Sequence, residues 1–205
     1  MQPTARTPDH PIEPLFLSRW SPRAYDASAM PASDLLTILE AGRWAPSAYN
    51  VQPWRFLYAR RDDVHWSDFC SLLDPFNQQW AIDASALIFL ISDTVMPGDQ
   101  DRPDAMSGYN SFDAGAAWMQ IALQATALGY AAHAMAGLEF SAAPQVLNLP
   151  DRFRLEIGIT IGRQSDITRL PDALRVREAP SGRMPLDQIS FSGAFPDRFN
   201  TIAAE

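Results

Sequence analysis

The stretch SRWSPRAY, residues 18–25, sets Arg19 and Arg23 four positions apart around Ser21, with Pro22 between them. Proline lacks an N–H and cannot sit inside a helix, so the two guanidiniums do not stack on one helical face. Two arginines and a hydroxyl in a constrained turn suit a bound anion. They also suit a solvated surface, and the stretch alone leaves both readings open. A second polar group lies in RWAPSAYNVQPWRF, where Pro46 and Pro53 stiffen a loop carrying Ser47, Tyr49, Asn50 and Gln52 just before a strand-like run. Such a loop can hold a planar heterocycle or can merely cap the preceding helix. Asn77, in NQQWAIDASALIF, can reach a ligand edge or bond local backbone. In AAHAMAGLEF, small residues around Gly137 let backbone approach a flat ligand closely, or let strands pack tightly. Arg183, in APSGRMPLDQI, is by itself an arginine in a loop.

Composition narrows the chemistry. All 16 basic residues are arginine, which removes Schiff-base, P-loop and general-base lysines. A formal charge of -8 argues against tracking nucleic-acid phosphates, so no nucleic-acid partner is expected. One cysteine, Cys70, excludes an internal disulfide and a cysteine metal cluster, and its apolar helical setting points to packing. His10, His65 and His133 have no ligand spacing, so no metal is expected. The N-terminal MQPTARTPDHPIEP lacks the apolar segment of a secretory signal, and a cytoplasmic location is expected. Ala114–Leu138 carries no Asp, Glu or Arg and is long enough to span a bilayer. Its glutamines, Gly129, His133 and many alanines read better as a helix buried on all sides, then a short strand, with no membrane partner. A second subunit would supply cover for such a helix.

The elements that must position these residues follow from periodicity. Ser33 is placed as the N-cap of a helix carrying Leu35, Leu36, Ile38 and Leu39. Strands are predicted at Trp54–Ala59, at the apolar run Ala84–Ser92, covered on both faces, and at Phe153–Gly162. HWSDFCSLL and SAAPQVLNL read as short helices, and Met96–Asn110 as an exposed loop. A long helix is predicted near Phe112–Leu128, stopped by Gly129. The class is α+β: one domain over 1–205, with a core of about 12–165 and an extended, Pro-rich arm of about 166–205.

Together the five segments resemble the nitroreductase family of FMN-dependent NAD(P)H oxidoreductases. The R-x-S-x-R-x-aromatic pattern stands as Arg19, Ser21, Arg23 and Tyr25, and the P-S-x-x-N-x-Q-P-W loop as Pro46, Ser47, Asn50, Gln52, Pro53 and Trp54. An Asn followed by Asp-Ala-Ser stands as Asn77, Asp83, Ala84 and Ser85, and the late arginine as Arg183, Pro185 and Leu186. The resemblance runs from about Ile12 to Ile189. It implies a mainly antiparallel sheet flanked by helices, a C-terminal arm, and an intertwined homodimer with FMN at its interface. It implies that Arg19, Ser21, Arg23 and Arg183 hold the FMN phosphate, with Trp20 beside the ligand. From the other subunit would come Pro46, Ser47, Ala48 and Asn50. Ala134, Met135, Ala136 and Gly137 would pass backbone along the ring, and Asn77 would bond the pyrimidine edge.

There are departures. Ala48 replaces a second Ser of many relatives, Trp80 stands where a lysine is frequent, and Ser181 stands where a basic residue precedes the late arginine. The resemblance implies NADH or NADPH as reductant and a nitroaromatic, quinone or similar small molecule as oxidant, handled alternately. No catalytic side chain is nominated, because such a cofactor carries the chemistry. Tyr49 and Phe112, or Tyr109, are placed at the substrate wall. Dehalogenation, ene or amide redox, flavin breakdown and flavin binding without turnover stand as alternatives.

Overall fold

The computed structural model describes residues 6–196 and Phe199. Residues 1–5, 197, 198 and 200–205, the ends of the expected domain and of its arm, lie outside the described residues. In chain order the elements are α1 (Pro14–Ser18), α2 (Ala32–Arg43), β1 (Trp54–Arg60), α3 (Trp66–Ser71), α4 (Pro75–Ala81), β2 (Ala86–Asp93), β3 (Val95–Met96) and β4 (Ala105–Met106). Then come α5 (Asn110–Ala127), β5 (Ala131–Met135), α6 (Ala143–Val146), β6 (Phe153–Gly162) and α7 (Asp172–Arg175). Past Gly162 the described chain holds only α7 and 3-10 turns at Ile167–Arg169 and Leu186–Gln188.

The main sheet has the order β1-β2-β6-β5 and is antiparallel throughout, as the α+β reading requires. Every residue of β2 is buried, which is why its sequence is apolar without alternation. Its side chains still part by parity. Ala86, Ile88 and Leu90 join the cluster made with α2 and α5, while Leu87, Phe89 and Ile91 join Leu72, Leu73, Trp80 and Tyr25 on the other face. Helix α2 buries Leu35, Ile38, Leu39 and Gly42, one stripe at helical spacing. At Gly42 it meets α5 so closely that an added Cβ would stand 2.8 Å from Cγ1 of Ile121. Glycine is what lets these helices touch.

Several elements differ from their sequence-based expectation. Ser33 does not cap α2: the cap position is two residues earlier, at Pro31, and no side chain caps the helix. Pro31 carries an extended φ/ψ there, and the fixed ring suits the turn into the helix. Helix α4, not predicted from the sequence, precedes the central strand; Asp74 caps it, accepting from the Asn77 N–H at 2.7 Å, with Pro75 in its first turn. The loop after β2 closes a small hairpin of β3 and β4. Helix α5 is not buried all round. Ala114, Ala117, Ile121, Ala122 and Ala125 face the sheet, but Phe112 and Met119 stand exposed on the opposite stripe. None of the described helices is long and apolar enough to cross a membrane.

Candidate functional site

Helix α1 ends at Ser18, and Arg19 is already extended. Helix α1 touches α5 on one face of the sheet, whereas Tyr25 packs on the other, so residues 19–24 pass around the β5 edge. Two anchors hold this passage. Tyr25, 1% exposed, bridges Gln164 and bonds Thr160 through its hydroxyl at 3.0 Å. Glu178 reaches across with one carboxylate oxygen, accepting from the backbone N–H groups of Arg23 at 2.6 Å and Ala24 at 2.9 Å.

Within the passage the two arginines part. Arg19 donates to the Ser21 hydroxyl at 3.2 Å and has no ion pair among the described residues. Burial lowers its pKa, and the nearby positive charges of Arg6 and Arg183 lower it further. Among the described residues Arg183 donates only to its own neighbourhood: the carbonyls of Ser181 and Gly182 and the Ser181 hydroxyl. Mutually repelling guanidiniums with no carboxylate paired to them among the described residues suit an anion: a dianion would turn the repulsion into attraction. Arg23, by contrast, has an acidic partner. Its guanidinium is 3.8 Å from Glu178 and sits over the Trp80 ring, 5.9 Å from the centroid. It was expected beside Arg19 and Ser21; Glu178, which the sequence reading missed, draws it inward.

Behind Arg23 the packing is dense. Trp80, 1% exposed, stacks near Tyr25 and lies 4.7 Å from the His133 ring. The His133 Nδ1 is 3.0 Å from the Pro22 carbonyl, which can only accept, so Nδ1 carries the proton. Burial lowers the His133 pKa to about 4, the Pro22 carbonyl acting in the opposite sense. Asn77 donates its side-chain amide to the Gly137 carbonyl at 3.1 Å, and Asp74 accepts from Asn77 while its own N–H bonds that same carbonyl. A Cβ at Gly137 would fall 2.0 Å from the Asp74 carboxylate, so only glycine fits beside α4. For Asn77 and Gly137 the structure shows the local roles: the amide bonds backbone, and the packing beside α4 is tight. Ala134 and Met135 close β5 at this point.

The proline loop is built differently. Its 3-10 turn, Ala48–Asn50, is tied to the first turn of α5 by the Ala48 N–H, which donates to Asp113 at 3.2 Å. The Ser47 hydroxyl accepts from the Gln52 N–H at 2.9 Å. Tyr49, Asn50 and Gln52 all hold positive φ, 52°, 55° and 53°. Tyr49 and Phe112 flank the Ala48–Asp113 bond and are 82% and 80% exposed. The loop therefore sits by α5, on the sheet face opposite Trp80 and Asn77. One chain brings Arg19, Ser21, Asn77 and Gly137 to one region, and Ser47, Asn50, Tyr49 and Phe112 to another.

The nitroreductase family model matches residues 17–65 and 60–163. The chain belongs to the nitroreductase family. A crystal structure described as an oxidoreductase containing FMN is similar at 47% identity and a TM-score of 0.90, over 96% of this chain and 99% of that one. A Streptococcus pyogenes protein with the provisional name NAD(P)H nitroreductase is 25% identical over 185 residues, 76% of this chain and 86% of its own. The enone reductase of CLA biosynthesis from Lactiplantibacillus plantarum is 25% identical over 182 residues, 73% of this chain and 83% of its own. The nitroreductase match takes in the arginine passage, the proline loop, α4 and β5. It leaves Arg6, Glu178 and Arg183 outside.

Proposed function

We propose that the protein is an FMN-dependent oxidoreductase that takes two electrons from NADH or NADPH and gives them to a nitroaromatic, a quinone or a similar small oxidant. Reductant and oxidant use one binding face in turn. The observation that carries this reading is the set Arg19, Ser21 and Arg183: anion-binding groups without a carboxylate, on a nitroreductase fold. FMN is what the relative at 47% identity contains. Its phosphate monoester is nearly a dianion and accepts several guanidinium bonds, which fits that donor set. Bound there, FMN supplies a centre for hydride transfer.

The chain supplies position and exclusion of water. Arg19, Ser21 and Arg183 hold the phosphate, and Trp20 lies beside it. Arg23, fixed by Glu178, brings positive charge toward the ring. Asn77 and the backbone of Ala134, Met135, Ala136 and Gly137 line one side. Pro46, Ser47, Ala48 and Asn50 line the other, from a second copy, because in one chain they lie across the sheet. The bare stripe of α5 at Phe112 and Met119 gives that copy its seat, and Tyr49 and Phe112 form the substrate wall. The single domain with its arm reaching past 165, and a cytoplasmic location, belong to the same reading.

A second reading, reduction of a conjugated enone, is favoured by the Lactiplantibacillus relative. The test is an absorbance spectrum of the purified protein with anaerobic NADH and NADPH titrations, followed by menadione, a nitroarene or an enone. Flavin bleaching by a nicotinamide and recovery on one oxidant are expected. A yellow protein that neither nicotinamide bleaches would overturn turnover, and a colourless one would overturn flavin binding.

A further inference from the structure

We propose that Arg6 is a further guanidinium of the phosphate site, carried there by an N-terminal strap, residues 6–13, that closes over the Arg19 passage. This deepens the reading above and rests on it. Arg6 docks at the end of α1: its Nη1 donates to the carbonyl of Leu17 at 2.5 Å and to that of Arg19 at 2.7 Å. Both bonds use one nitrogen. The N–H groups on Nε and Nη2 have no partner among the described residues, and a guanidinium carries five such donors. No carboxylate pairs with Arg6 among the described residues.

The strap is also tied to the segment that carries the late arginine. The Leu186 N–H donates to Asp9 at 2.7 Å, three residues on from Arg183 and three on from Arg6. Pro8 and Pro11 limit the freedom of the strap, so its docking costs less conformational entropy than a flexible tail would. Burial and the charge of Arg183 both lower the Arg6 pKa, which places the two guanidiniums within electrostatic reach. Gathering like charges is unfavourable unless a dianion joins them, and Arg6 gains from the same ligand as Arg19 and Arg183. Arg6 lies outside the residues that match the nitroreductase model, as Arg183 does.

The test compares FMN with riboflavin, which differs by the phosphate alone. Arg6→Gln removes the charge and keeps an amide donor. It should weaken FMN binding about tenfold, roughly 1.4 kcal/mol, and leave riboflavin affinity unchanged. Arg6→Lys, which keeps the charge, should recover most of that loss. Equal weakening of FMN and riboflavin would make the strap purely structural and overturn the proposal, as would unchanged FMN affinity. A rise in KM for NADPH but not NADH, with the FMN-to-riboflavin ratio unaltered, would give Arg6 to the dinucleotide phosphate and also overturn it. The unsubstituted protein reports on the parent reading separately: no preference for FMN over riboflavin there would remove the phosphate site itself, whatever Arg6 does.

Discussion

The half-site on the α4 face and the loop on the α5 face are opposites in construction. Arg23, Trp80, His133, Asn77 and Gly137 are held by buried contacts, with Glu178 and Tyr25 reaching in from distant positions. Tyr49 and Phe112 are almost bare, and their loop is held in left-handed backbone by a few bonds. One half is finished within a single chain. The other looks unfinished because its proposed cover is a second copy. Buried half-sites set affinity and can be read from one chain; exposed half-sites depend on assembly. Each of the following experiments strains that contrast.

The largest effect should come from Met119→Glu on the outer stripe of α5. In one chain this side chain is 40% exposed, and the charge would be harmless there. Beneath a second copy it would be desolvated without a partner, at a cost of several kcal/mol. The expected result is a species of 22.8 kDa by light scattering that has lost its flavin. A flavin-loaded dimer would show that the stripe is ordinary surface and that the contrast between the faces has another origin.

Next in size is an acid effect confined to the buried half. The unfolded value of a histidine is about 6.5, and burial holds His133 at about 4. Between those values the unfolded chain binds a proton that the folded one refuses. Stability is therefore complete above about pH 6.5 and falls as pH drops toward 4, by up to about 3 kcal/mol. Arg23 and Arg19 nearby act in the same direction as burial, and the Pro22 carbonyl against it. Carboxylates held low, such as Asp93 against its own burial by Arg152, keep their contribution above the usual carboxylate range and lose it as pH falls through and below that range. Urea melts at pH 7 and pH 4.5 separate the two windows. His133→Gln should flatten the decline; a variant that declines as steeply as the parent would move the acid sensitivity to another group.

The same contrast explains what could be read from the sequence. Strands β1, β2 and β6 were legible because burial writes itself into apolar runs, and α2 and α5 because one stripe of each is apolar. Arg19, Ser21 and Asn77 stood out by spacing. Glu178 and Arg6 did not, since their roles come from contacts over 150 residues or from a strap without periodicity. Arg23 was legible as a site residue, but not its inward turn, which a remote carboxylate decides. Helix α4 was missed although Asp74-Pro75 is a start signal: three consecutive amide side chains, Asn77, Gln78 and Gln79, interrupt its apolar residues. The exposed outer face of α5 was not legible, because composition reports that a segment is apolar and not which side of its helix packs.

The smallest and sharpest prediction concerns Tyr49. Its φ of 52° is unfavourable for a side chain with a Cβ, by about 1–2 kcal/mol, and little of the ring is packed within one chain. Tyr49→Gly removes the steric penalty but loosens the unfolded chain, so a net gain of about 0.5–1 kcal/mol is expected in the apoprotein. If the ring forms the substrate wall, KM for the oxidant should rise several-fold with little change in the rate of flavin bleaching by nicotinamide. More stability with poorer substrate capture would mean that strain is retained where the ring is needed. A loss of stability instead would mean that the ring already packs against a second copy in the apoprotein, and the exposed half would prove as finished as the buried one.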